Sequence, residues 1–209
     1  TNVPTEGSPP YTGPIAINAS MQVRARAFKP GHLPGPPRTE TFIQLQPDAL
    51  NFSSDLPIVL IHNLGQGAVP TSGDQAAYVA IFDRDNETGR TTLSSRPSVS
   101  SRIGLNIRGR GSQGYPKSGF AVEFWDEYGH DQNVEVLGMP AESDWVLYGT
   151  LNTDPVHIHN PLAREMSNVL GRPASRTRFV EVFLNTAGGP VRYTSPASGN
   201  YNGIYVLME

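Results

Sequence analysis

The chain contains no cysteine. That excludes disulfide frameworks, thiolate zinc sites and thiol nucleophiles. Lysine is nearly absent too: of 16 basic residues only Lys29 and Lys117 are lysines, and the rest are arginines. Chemistry that needs an ammonium group therefore has almost no choice of position. Charged residues make up 17% of the chain, which is low for a soluble domain. The formal net charge is −3, so no basic excess draws the whole molecule to nucleic acid or to an anionic membrane. No apolar run approaches the roughly 18 residues of a membrane-spanning helix. What the chain does have is glycine (21) and proline (19), about a fifth of its 209 residues. That share favours a turn-rich β protein over a helical bundle.

Residues 1–45 alternate in short segments: Ile15 and Ile17, then Met21, Val23, Ala25 and Ala27, then Thr39 to Ile43. Turn-forming clusters at Pro9-Pro10, Lys29-Pro30-Gly31-His32 and Pro34-Gly35-Pro36-Pro37 separate them. Three strands at this spacing predict part of a β-sandwich. Residues 46–55 are polar and aperiodic and read as a linker. Strand-like runs follow at Ile58 to Ile61, Ala77 to Phe82, Thr91 to Ser94, Ile103 to Ile107, Gly119 to Trp125 and Asp144 to Tyr148. In the Gly119 run, Phe120, Val122 and Phe124 share one face. One helix is predicted, capped by Asn160, with Pro161 in its first turn and Gly171 as its stop. Ile158, Leu162, Met166, Val169 and Leu170 lie near one face, on a helix expected to pack against the sheet. Arg178 to Asn185 and Tyr201 to Met208 read as two closing strands. The expected fold is α+β, a curved antiparallel sheet packed on one main helix. A strand running to the residue before Glu209 also reads as an internal piece of a longer protein.

Gly109-Arg110-Gly111-Ser112-Gln113-Gly114 has the G-x-G-x-x-G spacing. A dinucleotide fingerprint needs a helix directly after it; here Pro116 and an alternating strand follow, so that reading fails. Two readings stay open: an ordinary glycine-rich turn, or a glycine loop between antiparallel strands as in protein kinases. Lys117 follows the loop and is either a surface lysine or a point charge for phosphate oxygens. Glu165 lies in the predicted helix, exposed or partnering that lysine. His157 and His159 would point the same way from a strand and could chelate a metal. No third histidine matches, and no metal site is assigned. His62 and His130 look solitary, and Trp145 reads as core. Asn18, Asn51 and Asn86 begin N-x-S/T sequons. No serine-histidine-aspartate set or G-x-S-x-G elbow is discernible.

Two resemblances follow from longer blocks. Tyr11-Thr12-Gly13-Pro14-Ile15, Val23 to Gly31 and Thr39 to Ile43 resemble the end of a chitobiase/β-hexosaminidase C-terminal-type β-sandwich, with Thr5-Glu6-Gly7-Ser8-Pro9 as the remains of its turn. Residues from about 56 to 209 resemble the spore-coat protein H (CotH) kinase family. Ile107 to Lys117, Leu137 to Leu147, Arg176 to Asn185 and Gly203 to Glu209 carry that likeness.

The second resemblance implies an atypical protein-kinase-like small lobe in residues 56–209, truncated at its C-terminal end. It implies transfer of the γ-phosphate of ATP, with Mg²⁺, to serine or threonine of a protein substrate. Lys117 would be the ATP-phosphate lysine, Glu165 its helix partner, and Glu209 would stand beside the adenine. Arg108 and Ser112 would also bind the cofactor. No catalytic base is identified, and the chain alone is expected to be inactive. Members of the family act on spore coats or occur on secreted and surface proteins, which implies an extracellular or cell-surface setting. The pattern departs at Ser118, where a second lysine is common. It departs again at Asp154-Pro155-Val156-His157-Ile158-His159-Asn160, which lacks two usual basic residues. Those losses favour the alternative of a non-catalytic surface or adhesion module. Carbohydrate association rests on the β-sandwich alone, where Tyr11, Phe28 and Phe42 are few for a sugar-stacking face.

Overall fold

The computed structural model describes residues 2–111, 113–149, 154–194 and 199–209. In chain order they form β1 (Met21–Ala25), β2 (Arg38–Phe42), α1 (Pro47–Leu50), β3 (Ser53–Ser54), β4 (Ile58–His62) and β5 (Gln75–Phe82). Next come β6 (Thr91–Thr92), β7 (Val99–Arg108), β8 (Gly119–Trp125), β9 (Val134–Val136), β10 (Met139–Glu142) and β11 (Asp144–Tyr148). The last elements are α2 (His159–Val169), β12 (Thr177–Asn185) and β13 (Tyr201–Met208). The protein is sheet-rich with few helices, as expected.

The larger sheet is a closed barrel, in the order β11-β13-β12-β4-β5-β7-β8, with β8 pairing back onto β11. Every neighbouring pair is antiparallel except β12 and β4. The alternation in β8 works as read: Phe120, Val122 and Phe124 are buried and belong to the interior. Trp145 and Tyr205 are the largest fully buried side chains there, beside Leu105 and Leu147. The Trp145 indole N–H donates to the Glu142 carbonyl at 2.9 Å, so its polar edge is satisfied.

All of β4 is buried because both of its faces are covered. Val59 and Ile61 point into the barrel, while Ile58 and Leu60 join a second apolar cluster on the outside with Phe82, Phe183 and Val191. Ala49 of α1 is fully buried in that outer cluster. Glu181 of β12 is buried within the same layer; its carboxylate accepts from Ser54 Oγ at 2.9 Å and from the Tyr201 hydroxyl. Burial first, and then the Glu181 charge, push the Tyr201 hydroxyl above its ordinary range.

Three expectations are corrected. Residues 2–45 hold a single hairpin, β1 on β2, and Ile15 and Ile17 lie outside any strand among the described residues. The curved sheet is a closed ring and needs no helix to cover it. And α2 is turned over. Ile158, Leu162, Met166, Val169 and Leu170 are between 49% and 76% exposed, while Asn160, Arg164 and Asn168 are half-buried and Pro161 is the residue buried fully. The barrel already has its apolar core, so the sheet-facing side of α2 is free to be polar.

A two-stranded hairpin is marginal on its own, and here it leans on the barrel through Glu127, which follows β8. The Glu127 carboxylate accepts from the Thr39 amide at 3.0 Å and from the Thr39 hydroxyl. Arg24 pairs with it at 3.4 Å and donates also to the Glu127 carbonyl. Arg26 extends the contact, lying over the rings of Phe28 and Tyr128 at 5.6 and 5.9 Å. Hydrogen bonds to a charged partner contribute roughly 1.5–3 kcal/mol. Glu127→Ala is therefore expected to release the hairpin while the barrel stays folded. Limited proteolysis between residues 26 and 37 should accelerate in the variant; an unchanged cleavage rate would count against this anchor.

Candidate functional site

The glycine loop joins β7 to β8, two antiparallel neighbours, a placement that both an ordinary glycine-rich turn and a kinase-type loop would have. Gly109 opens it at φ 102°, a conformation that L side chains rarely adopt. Lys117 sits just before β8, and its position is set by β13. Its Nζ donates to the Ile204 carbonyl and lies 4.4 Å from the centroid of the Tyr205 ring. That ring is held from both sides. The Tyr205 hydroxyl donates to the Ser118 carbonyl at 3.0 Å and accepts from Asn202 Nδ2 at 2.8 Å. Gly149 has no room for a side chain, since a Cβ there would fall 2.3 Å from Tyr205 Cε1. Burial lowers the pKa of the Lys117 ammonium, and the charge of Glu181 partly opposes this.

Lys117 and Arg108 line one cavity of about 210 Å³ between the start of β8, the end of β11 and α2. From α2 the cavity receives Asn160 and Arg164, one turn apart on the helix side that faces the sheet. Among the described residues no carboxylate lines this space, and no ion pair engages Arg108, Lys117 or Arg164. An unpaired cluster of cations in a cleft without acids suits a polyanion such as phosphate.

Glu165 lies elsewhere. With Glu142 and Glu209 it lines a second cleft, of about 960 Å³. There Glu209 Oε1 accepts from the Arg176 amide at 3.1 Å and pairs with its guanidinium at 3.5 Å. Glu209 Oε2 is buried without a partner among the described residues. The sequence-derived site thus divides: Arg108 and Lys117 come together, Glu165 and Glu209 come together, and no ion pair joins Lys117 to Glu165 among the described residues. Ser112 lies outside the described residues. Hydrophobic periodicity does not mark Arg164 and Asn160 as site residues, because it favours the apolar stripe of α2 as the inner face. The clue in the sequence was the i, i+4 spacing of two polar residues on the opposite side.

The start of α2 is fixed by Asp154, which is buried. Its Oδ2 accepts from the His159 amide at 2.8 Å, and its Oδ1 pairs with His159 Nδ1 at 2.9 Å. Asn160 lies inside α2 rather than at its cap, and Asp154 satisfies the first helical amide from the loop before it. The two histidines do not lie on a strand: His157 is in a turn at φ 55° and buried, while His159 begins the helix with its side chain 73% exposed. Among the described residues no group of three or more histidines and acids could hold a metal ion.

Burial, and after it the charge of Lys117, lower the His157 pKa against the opposing pull of Asp154. Its ring therefore stays neutral below the pH at which a free imidazole gains its proton. In the window between the folded value and about 6.5 the unfolded chain binds more protons, so stability rises with pH there and is lost on acidification. His62 acts in the same direction, since burial lowers its pKa against the Gly189 hydrogen bond. His157→Asn keeps a residue tolerant of positive φ and is expected to shrink the loss of stability between about pH 7.5 and about pH 5 without abolishing it. Urea midpoints at the two pH values measure this, and an undiminished difference would contradict the burial of a neutral His157.

A family model described as CotH kinase protein matches residues 105–209, the half of the chain that carries the Lys117 cavity. A second, described as Fn3 associated, matches residues 2–42, where a β-domain was expected. Its description carries no chitobiase label. No curated protein matches the chain.

Proposed function

The chain belongs to the CotH kinase protein family, and from that premise we propose that it binds ATP at the Lys117 cavity and serves transfer of the γ-phosphate to serine or threonine of a protein. The observation that carries this reading is the placement of Lys117. Its ammonium is held over the Tyr205 ring in a cavity that Arg108 and Arg164 also line and to which no described residue brings a carboxylate, after a glycine loop between antiparallel strands. On this reading the barrel and α2 correspond to the small lobe of a kinase-like fold, residues 1–45 are an N-terminal unit leaning on it, and residues 46–55, expected as a linker, instead pack on the barrel through Ala49 and Ser54. The proposed setting is extracellular or at the cell surface.

The residues present fit a phosphate chain, since Lys117 and Arg108 supply positive charge where its oxygens would lie. Bound ATP would supply the phosphoryl group. Lys117 would neutralise and orient it. The described residues offer no cluster of acids for Mg²⁺, so neither the ion nor the base that activates the acceptor is assigned to a residue. What is proposed for this chain is binding and orientation of the nucleotide.

The separation of Lys117 from Glu165 favours a second reading, in which the fold is kept as a non-catalytic surface module. Calorimetry with MgATP distinguishes the two. The protein should bind, and Lys117→Met should weaken binding by about tenfold or more, as expected for loss of a charged hydrogen-bond donor to phosphate. Absence of binding by the unsubstituted protein would remove the nucleotide reading and leave the module.

A further inference from the structure

We propose that α2 serves the polyphosphate site through Arg164, aided by Asn160, and that Arg164, Arg108 and Lys117 together form a cradle for three linked phosphates. The proposal rests on the nucleotide reading above and specifies how the phosphate chain is held.

Three observations support it. The first is the inversion of α2. An amphipathic helix on a globular domain normally turns its apolar stripe inward. Here Ile158, Leu162 and Met166 face outward, and Asn160 and Arg164 face the barrel. Among the described residues Arg164 makes no hydrogen bond and no ion pair and lines a cavity free of carboxylates, so its guanidinium is available to a ligand there.

The second is convergence. Arg108 arrives from the end of β7, Lys117 from the glycine loop, and Arg164 from α2. Three cations from three separate elements meet around about 210 Å³. A ligand carrying several negative charges would be attracted by all three. Two of the three are arginines, whose planar forks take phosphate oxygens two at a time, whereas Lys117 acts as a point charge. Asn160, one turn before Arg164, adds an amide donor on the same side.

The third is the way α2 is held. Asp154 grips its first turn through the His159 amide and imidazole. The first turn, and with it Asn160, is thereby fixed relative to the loop before it, and Arg164 follows one turn along. Glu165, the next residue, is directed into the other cleft. The helix thus offers an arginine to the lysine's cavity, where a protein kinase offers a glutamate.

The test uses the full 209-residue chain, titrated calorimetrically with MgATP and, separately, with inorganic tripolyphosphate, at fixed ionic strength. Arg164→Gln should weaken both ligands by about tenfold or more. Arg164→Lys, which keeps the charge and loses the fork, should recover part of that loss. Glu165→Gln should leave tripolyphosphate binding unchanged. Arg172→Gln, an equal change of charge beyond the end of the helix, should leave both ligands unchanged. Matching thermal midpoints for the variants show that binding is being read and not folding.

If MgATP binds and needs Lys117, but Arg164→Gln binds both ligands as tightly as the parent, the cradle is wrong and the nucleotide reading survives. If tripolyphosphate binds through Arg164 but MgATP does not bind, the cradle stands and the nucleotide reading falls. Failure of the parent protein to bind either ligand overturns both.

Discussion

The pairing of β11 with β8 on one side and with β13 on the other is the constraint on which the rest depends. It joins the two ends of the sheet into a ring and leaves no open strand edge there. Trp145 and Leu147 of β11 face the interior, so the closing strand also fills the core it encloses. A sheet closed in this way buries its inner residues without a covering helix. That frees α2 from the usual duty of an amphipathic helix, and its inward side can carry Asn160 and Arg164.

The same closure positions the lysine. β13 lies next to β11, and its Tyr205 side chain is fully buried with its hydroxyl tied to the Ser118 carbonyl. The ring serves as a rigid floor on which Lys117 rests, with Ile204 offering a carbonyl beside it. A flexible four-carbon side chain is thus held in one place by two residues of a neighbouring strand. Preorganisation of this kind lowers the cost of ordering the side chain when a ligand arrives. The charge of Glu181, a buried residue of β12, partly offsets the desolvation that works against the ammonium.

The N-terminal hairpin illustrates a different dependence. β1 and β2 bury little of their own surface, and their place comes from Glu127 on the loop after β8. The outer apolar cluster ties α1, the segments around Leu93 and Val191, and Ile43 and Leu45 just after β2 to β4, β5 and β12. The barrel is in this sense the scaffold for both the cationic cavity and the N-terminal segment.

Much of this was legible in the residues themselves. Alternation and short apolar runs are local properties: alternation located β1, β2 and β8, and apolar runs located β5 and the two final strands, to within a few positions. The glycine spacing followed by Pro116 and an alternating strand ruled out a dinucleotide fold, and the scarcity of lysine singled out Lys117. The extent of α2 was also close to that read from Pro161 and Gly171. Its orientation was not, because hydrophobic periodicity gives a helix two faces without saying which one meets the protein. Ile158, Leu162 and Met166 would have been inside had the sheet been open and in need of cover. Likewise Glu165 and Arg164 are adjacent in the chain, yet about 100° of helical turn separates them into different clefts. Local pattern determined the strands, the loop and the lysine; ring closure, a long-range pairing of strands with no local signature, decided which side chains would share a cavity.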